Sequence, residues 1–504
     1  MSARTNALAG AIEAAEGALP PAPADYDGGV DGWCARQPLN DVGNASRLLA
    51  RVGTDLVSIE GAGWAAWDGR RWSTEDGERL ARLHAQALSE WIKGEIAVIE
   101  GRDPKDDALV ALRKWARACG NSERISNALR ELAPRVTRRV DEMDAHADLL
   151  TVANGTVEMG PKSVLRPARR EDLITRSCGA PWIEGATGSK GGAPIFEAFV
   201  ERILPDVDVR LFLRRWLGYS ITGHMREQVV VMLWGSGSNG KSTLLNVVAH
   251  VVGDYAAKLP IASVLVDERK SGSQATPDIA RLPGARMVSA AEPDVGRRLS
   301  ESAIKDMTSG EKMIARHLNH PFFEFIAQFK VTLAFNTKPA TRGQDEGLWR
   351  RLLLVPFTER VSAEDVGPVY EALEREAPGI LAWLIAGAED WYENGLAPPP
   401  VVTEATSGYR TEGDAVGAFL ITWCVLGEAA KGESVRASIL WRAWQMWCRD
   451  NAEEPGTQTL FGRKLVDHGL RKERIGTVFY TGIALGEAAR AALAAAHPGE
   501  GVIA

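Results

Sequence analysis

The chain has 504 residues, 45% hydrophobic and 25% charged, the balance of an ordinary globular protein of about three or four domains. No apolar run approaches a membrane span, and the opening MSARTNALAGAIEAAEG lacks the apolar core of a secretory leader. A net charge of −7 excludes a global pull on nucleic acid, so any such contact must come from local basic surfaces.

Five scattered cysteines (Cys34, Cys119, Cys178, Cys424, Cys448) without a C-x-x-C pair argue against a disulfide scaffold or zinc ribbon and for a reducing cytoplasm. Residues 1 to about 30, rich in Ala, Pro, Gly and Asp, are expected to lack fixed structure. An α+β domain is expected over 31–183. Within it, Trp64 to Trp67 and Trp72 flank an Asp68-Gly69 hairpin turn, and helical patterns run over 78–96, 106–119 and 122–132. Leu149 to Glu158 reads as strand, Asn154-Gly155 turn, strand. Residues 184–194, Gly-rich and ending in Pro194, read as a linker, and 195–221 as helical. Strands and helices then alternate from 228 to 357, which implies an α/β ATPase core over 195–360. A helical lid over 361–405 precedes a last region, 406–504. Its helices around 419–426, 439–449 and 460–468, followed by a strand at 477–481, have the order of a winged helix.

The motif that carries most chemistry is Gly235-Ser236-Gly237-Ser238-Asn239-Gly240-Lys241-Ser242, a complete G-x-x-x-x-G-K-S loop. An apolar strand (Val229 to Trp234) precedes it and a helix beginning at Thr243 follows. That order aims backbone N–H groups and a positive helix end at phosphates. Gly235 through Thr243 are therefore expected to hold a nucleoside triphosphate, taken as ATP. Lys241 would reach the β/γ-phosphates and Ser242 would ligate Mg²⁺. The second Mg²⁺ ligand needs a carboxylate at the end of a neighbouring strand. Glu292, after the apolar run Met287–Ala291, is chosen over Asp294 and Asp278. Asn336, ending the strand that starts at Lys330, is placed as a sensor of the γ-phosphate. Arg350 and Arg351 are placed as candidate arginine fingers acting on a neighbouring subunit. A hairpin between these strands offers Lys312, Arg316, His317 and His320 to DNA phosphates. Asp206 and Asp208 read as a helix cap rather than a metal site. Two further arginine- and lysine-rich stretches, 113–139 and 463–474, are either DNA surfaces or solvated helix faces.

In their order these motifs resemble the phage and plasmid primase/helicase proteins related to the poxvirus primase-helicase, whose motor is a superfamily III helicase. The resemblance rests on Gly235 to Ser242, Pro277 to Val288 through Glu292, Ile304-Lys-Asp-Met-Thr308, Ala315-Arg316, Phe323-Glu-Phe325, Phe329-Lys330, Asn336-x-Lys338-Pro339 and Trp349-Arg350-Arg351 to Phe357. Gly63 to Trp72 and Leu149 to Gly155 look like the domain that precedes the motor in that family. The resemblance implies an AAA+-like P-loop core, a hexameric ring with ATP sites between subunits, and a hairpin that tracks one DNA strand 3′ to 5′ in the channel. Two departures stand out. The hairpin turn carries Leu318-Asn319-His320-Pro321 where many relatives have Lys or Arg. No polymerising domain is expected ahead of the Trp-rich region, so a separate primase is the expected partner. An origin-binding initiator ATPase is the alternative function, and a small-molecule kinase is disfavoured by the arginine pair.

Overall fold

The computed structural model describes residues 28–186, 192–266, 276–291, 298–316, 322–339, 346–412, 414–451 and 453–496. It is a mixed α/β fold whose largest sheet has five strands, flanked in the chain by smaller sheets. In the N-terminal part, β1 (Leu56–Ile59), β2 (Gly63–Trp67) and β3 (Trp72–Ser73) form an antiparallel meander, with β4 (Thr137–Arg138) parallel to β1. The expected turn is there. Asp68 Oδ1 accepts the backbone N–H groups of Arg70 and Arg71 at 2.8 Å each, and Gly69 has φ 97°. Helices Asp41–Val52, Gly77–Arg102, Ala108–Ala118 and Ser122–Leu132 share a core containing Leu48, Leu88, Ile92, Leu112 and Leu129.

A second antiparallel sheet follows: β5 (Leu149–Val152), β6 (Gly155–Glu158) and β7 (Val164–Arg166). Its Leu150, Val152 and Val157 belong to the same core as the helices after residue 194, so the stretch expected as a linker does not separate two cores. At its end Ala193 is fully buried, and the backbone N–H groups of Ile195 and Phe196 donate to the Glu376 carboxylate at 3.1 and 2.9 Å. Residues 187–191, inside that stretch, lie outside the described residues, as do 1–27. The helical stretch over 195–221 is two helices, Pro194–Ile203 and Val207–Ser220. Pro205 breaks the run and Asp206 caps the second helix, its Oδ1 accepting from the N–H groups of Asp208 and Val209 at 2.9 and 3.1 Å.

The central sheet comprises β8 (Val230–Trp234), β9 (Ala256–Lys258) and β10 (Met287–Ala291), then, after the antiparallel hairpin β11 (Lys312–Ala315) and β12 (Phe323–Ile326), β13 (Lys330–Phe335) and β14 (Leu352–Pro356). The spatial order is β14-β8-β13-β10-β9 and every pairing in it is parallel. Val231 and Leu233 of β8 face Trp216, Val248 and Leu384 of the helices on one side. Val230 and Met232 belong to the other core, with Phe325 of the hairpin and Leu348. Burial on both faces is why β8 reads as a continuous apolar run rather than an alternating one.

Helix Pro400–Glu412 straddles the boundary expected at 405/406, which is a correction. It packs on β14: Thr406 Oγ1 accepts from the Leu354 N–H at 2.9 Å, and Tyr409 is buried against Trp349. The last region has its own core of Phe419, Trp444, Trp447, Phe461, Leu465 and Tyr480. Its order is helix Ala415–Trp423, β15 (Cys424–Leu426), β16 (Ser434–Arg436), helices Ala437–Asp450 and Gln458–Asp467, β17 (Arg471–Ile475), β18 (Thr477–Thr481), β19 (Ile483–Leu485) and helix Glu487–Ala496. Strands β16, β18 and β17 form one antiparallel sheet and β15 pairs with β19. Residues 424–426, expected as helix, are therefore strand. The tryptophans here are core residues, with the Trp444 and Phe461 rings stacked 5.2 Å apart.

Candidate nucleotide site

β8 ends at Trp234 and the helix Lys241–Val252 begins seven residues later, so the glycine-rich loop joins the C-terminal edge of the sheet to a helix N-terminus. Two glycines are dictated by close approach. A Cβ on Gly235 would stand 2.3 Å from the Phe357 carbonyl oxygen, and one on Gly240 (φ +77°) would stand 2.6 Å from Ile203 Cγ2. Ser238 has φ 51°, a left-handed conformation that costs a residue with a Cβ.

Lys241 is 5% exposed. Its ammonium donates to the Gly235 carbonyl at 2.9 Å and to Asn239 Oδ1 at 3.0 Å, and burial pushes its pKa down. Asn239 faces two ways. While its Oδ1 accepts from Lys241, its Nδ2 donates to the carbonyls of Phe357 and Glu359 at 3.1 and 3.0 Å. The Val361 N–H adds a bond to the Ser238 carbonyl at 2.8 Å, so the loop is laced to the segment that leaves β14. Ser242 is exposed at the helix head, and Thr243 is buried behind it.

The neighbouring strand β13 pairs Phe335 with Trp234, and Asn336 follows it, exposed, at the same edge. β10 ends at Ala291, opposite Ala334. Glu292 and Asp294 lie outside the described residues. Asp278 sits on the short helix Pro277–Ala280 and accepts from Ser263 Oγ at 3.4 Å. Lys338, two residues after Asn336 in the N-x-K-P motif, stands beside the strand that leads into the loop. Its ammonium lies 4.2 Å from the centroid of the Trp234 ring and pairs with Glu412 at 2.7 Å. The N-x-K-P spacing was the available signal for it.

The arginine pair divides. Arg350 is exposed, whereas Arg351 is 9% exposed and turned inward. The Nε of Arg351 donates to Thr308 Oγ1 and its Nη1 to the Gly347 carbonyl, both at 3.0 Å. Arg351 as a finger is therefore corrected, because its guanidinium is consumed inside its own subunit. In the hairpin, Lys312 pairs across the strands with Glu324 at 3.5 Å, both side chains 56% exposed, a contact worth about 0–1 kcal/mol. The Arg316 guanidinium lies 4.6 Å over the Phe322 ring. His317 and His320 lie outside the described residues.

The two basic stretches differ. In the N-terminal one, Arg124 pairs with Asp41 at 2.9 Å, Arg139 with Asp141 at 2.6 Å and Arg113 with Glu100, while Arg135 donates to Ser46 Oγ. In the C-terminal one, Arg463, Arg471, Lys472 and Arg474 are exposed and Lys464 is half-buried. No carboxylate pairs with any of the five among the described residues.

With this geometry in place, residues 45–205 match the family model described as D5 N terminal like. Residues 45–205 thus carry the D5 N-terminal-like domain of the primase-helicase family. The match runs through the residues expected as a linker and into helix Pro194–Ile203, as the shared core does. The chain is 26% identical over 376 residues to the candidate helicase L207/L206 of Acanthamoeba polyphaga mimivirus, covering 70% of this chain and 38% of that protein. It is 27% identical to the candidate helicase 022R of Frog virus 3 over 270 residues, 50% of this chain and 27% of that one. It is 28% identical to the candidate primase C962R of African swine fever virus over 218 residues, 42% and 22%. The chain thus spans well under half the length of these relatives. Among solved structures, the C-terminal region of NrS-1 aligns at 12% identity over 58% of this chain and 76% of that one, with a TM-score of 0.35. No helix among the described residues is long and apolar enough to cross a membrane.

Proposed function

We propose that this chain is an ATP-driven DNA helicase motor of the superfamily III type. It would serve the replication of a phage, plasmid or integrated element, as a hexameric ring moving 3′ to 5′ with a separate primase. The observation that carries the reading is Lys241. It is a buried ammonium at the head of a helix, held by two acceptors of its own loop and by no carboxylate among the described residues. Such a cation lacks its counter-charge, and phosphate oxygens at the helix N-terminus supply one. The crowding at Gly235 and Gly240 keeps the loop backbone bare, which suits a phosphate chain. The N–H groups of Gly235 to Thr243 would cradle it, with Ser242 and Glu292 holding Mg²⁺ and Asn336 reading the terminal phosphate. Bound Mg·ATP supplies the phosphoanhydride bond and the divalent charge that eases its cleavage. The exposed Arg350 is the finger that reaches a neighbouring site. A sheet ordered fifth, first, fourth, third, second in chain sequence, as in AAA+ motors, supports the same reading.

The test is unwinding of a forked duplex by wild type and Lys241→Ala. ATP-dependent strand separation that the substitution abolishes is the expected result, and tight DNA binding with no separation would sink the helicase. Mixing Arg350→Ala with Lys241→Ala subunits should restore part of the turnover, because a mixed interface rebuilds one intact site. A second reading, an initiator that remodels an origin, is favoured by one observation. Helix Gln458–Asp467 and strand β17, the recognition-helix and wing positions of a winged helix, carry the five cations that no carboxylate pairs with among the described residues. Sequence-selective duplex binding without unwinding would decide for it.

A further inference from the structure

Arg351 is a buried guanidinium whose two acceptors among the described residues, a hydroxyl and a carbonyl, are both neutral, and no carboxylate pairs with it there. A Leu or Met would fill that space without the cost of desolvating a charge, so packing does not explain an Arg there. Its geometry does. The planar fork bridges two elements that are distant in sequence. One acceptor, Thr308, is the last residue of helix Glu301–Thr308, is 2% exposed and itself donates to the Ile304 carbonyl at 2.7 Å. Four residues later, past Gly310 at φ +73°, hairpin strand β11 begins. The other acceptor, Gly347, lies in the short helix Glu346–Trp349 that presents Arg350, whose own N–H donates to the Glu346 carbonyl at 3.1 Å. The Arg351 carbonyl in turn accepts from the Val230 N–H at 2.7 Å, where the strand leading to the phosphate loop begins.

One residue thus ties the root of the hairpin to the turn bearing the exposed arginine through its side chain, and to the start of β8 through its carbonyl. We infer that Arg351 is the positioning residue that couples DNA engagement at the hairpin to the reach of Arg350 into the adjacent subunit's nucleotide site. The inference rests on the motor reading above. It gives adjacent arginines separate tasks: Arg350 acts outward on the reaction, and Arg351 transmits whether the hairpin is loaded. A physical warrant for coupling is an element that both sites bias, and the Thr308–Arg351–Gly347 bridge is that element.

The experiment compares ATP turnover with and without an oligo(dT) single strand in the full-length wild type, Thr308→Val, Thr308→Ser and Arg351→Lys. Thermal melting checks that each variant folds. Thr308→Val removes the acceptor while keeping shape. It should leave DNA-free turnover within about twofold and reduce the stimulation by DNA at least about fivefold, the low end of measured couplings. Thr308→Ser, which keeps the hydroxyl, should restore the stimulation. Arg351→Lys, which keeps the charge but loses the fork, should lose it as Thr308→Val does. A purely structural role would lower the melting temperature and leave the stimulation ratio intact. That result in a stimulated, unwinding enzyme overturns the coupling alone. A wild type that neither unwinds nor responds to the single strand removes the motor reading as well.

Discussion

The two ends of the central sheet both bury cations, and they hold them differently. At the N-terminal end, Arg286 and Lys330 stand at the starts of β10 and β13 and are 1% and 2% exposed. Arg286 donates to the carbonyls of Ile221 and His146 at 3.0 and 3.1 Å, with its guanidinium 4.7 Å over the Tyr255 ring. Lys330 donates to the carbonyls of Thr222, Gln328 and His224, which takes up all three of its N–H groups. Ile221 and Thr222 follow directly on helix Val207–Ser220, at its negative end. At the C-terminal end, Lys241 has two acceptors among the described residues, both in its own loop. Burial alone therefore says little about a cation's task. One bonded to the fixed carbonyls of other elements is a fastener, and one resting on a loop's own acceptors is available to a ligand.

That contrast can be broken most directly at Lys241. Lys241→Ala should lower ATP turnover by about 10³-fold, the upper range for removing one transition-state donor, while leaving the unfolding midpoint unchanged or raised. Arg286→Met should do the reverse. Two buried carbonyls lose their donor, so denaturant unfolding should show a loss of about 2–4 kcal/mol, with residual turnover in the fraction that folds. If Arg286→Met instead abolished turnover in a fully stable protein, the fastener assignment would be wrong. Asn239→Ala sharpens the comparison, because it removes one of the two acceptors of Lys241 and frees the loop from the Phe357 and Glu359 carbonyls. A KM for ATP raised about tenfold, equivalent to about 1.4 kcal/mol, is expected, and an unchanged KM would show that the lacing is idle.

What could be read from the chain alone was local. The strand, loop and helix around Gly235 to Ser242 follow from apolar runs and glycine spacing, as do the hairpin at Asp68 and the helix Ser122–Leu132. What escaped depends on partners far away in sequence. Nothing near Arg350 and Arg351 says which one turns inward. Thr308, 43 positions earlier, decides it. Asn239 reads as one more loop residue until Phe357, 118 positions on, arrives to accept its amide. The helix Pro400–Glu412 escapes as one element because its tie to the sheet runs through Thr406, whose hydroxyl accepts from the Leu354 N–H of β14, 52 positions earlier. Strand β17 was missed because Arg471-Lys-Glu-Arg474 offers no apolar alternation for a pattern to catch.

The same distinction between consumed and available cations separates the two basic stretches, where the expected effects are smallest. Sequence alone gave them equal standing. Arg113, Arg124 and Arg139 each have a carboxylate, and Arg124 also lies 4.9 Å over the Trp115 ring. Their charges are locally balanced, so replacing all three with Ala should leave duplex affinity and its salt dependence unchanged. Arg471, Lys472 and Arg474 have no such partner among the described residues and sit on a strand that pairs with β18 at the surface of the last region. Each phosphate contact contributes about 0.9 to the slope of log affinity against log salt. The triple Ala variant at 471, 472 and 474 should therefore flatten that slope by up to about 2.7 in a fluorescence-anisotropy titration of a duplex, with each single change contributing about a third. Equal flattening by the N-terminal triple would show that carboxylate pairing does not silence a surface cation in this protein.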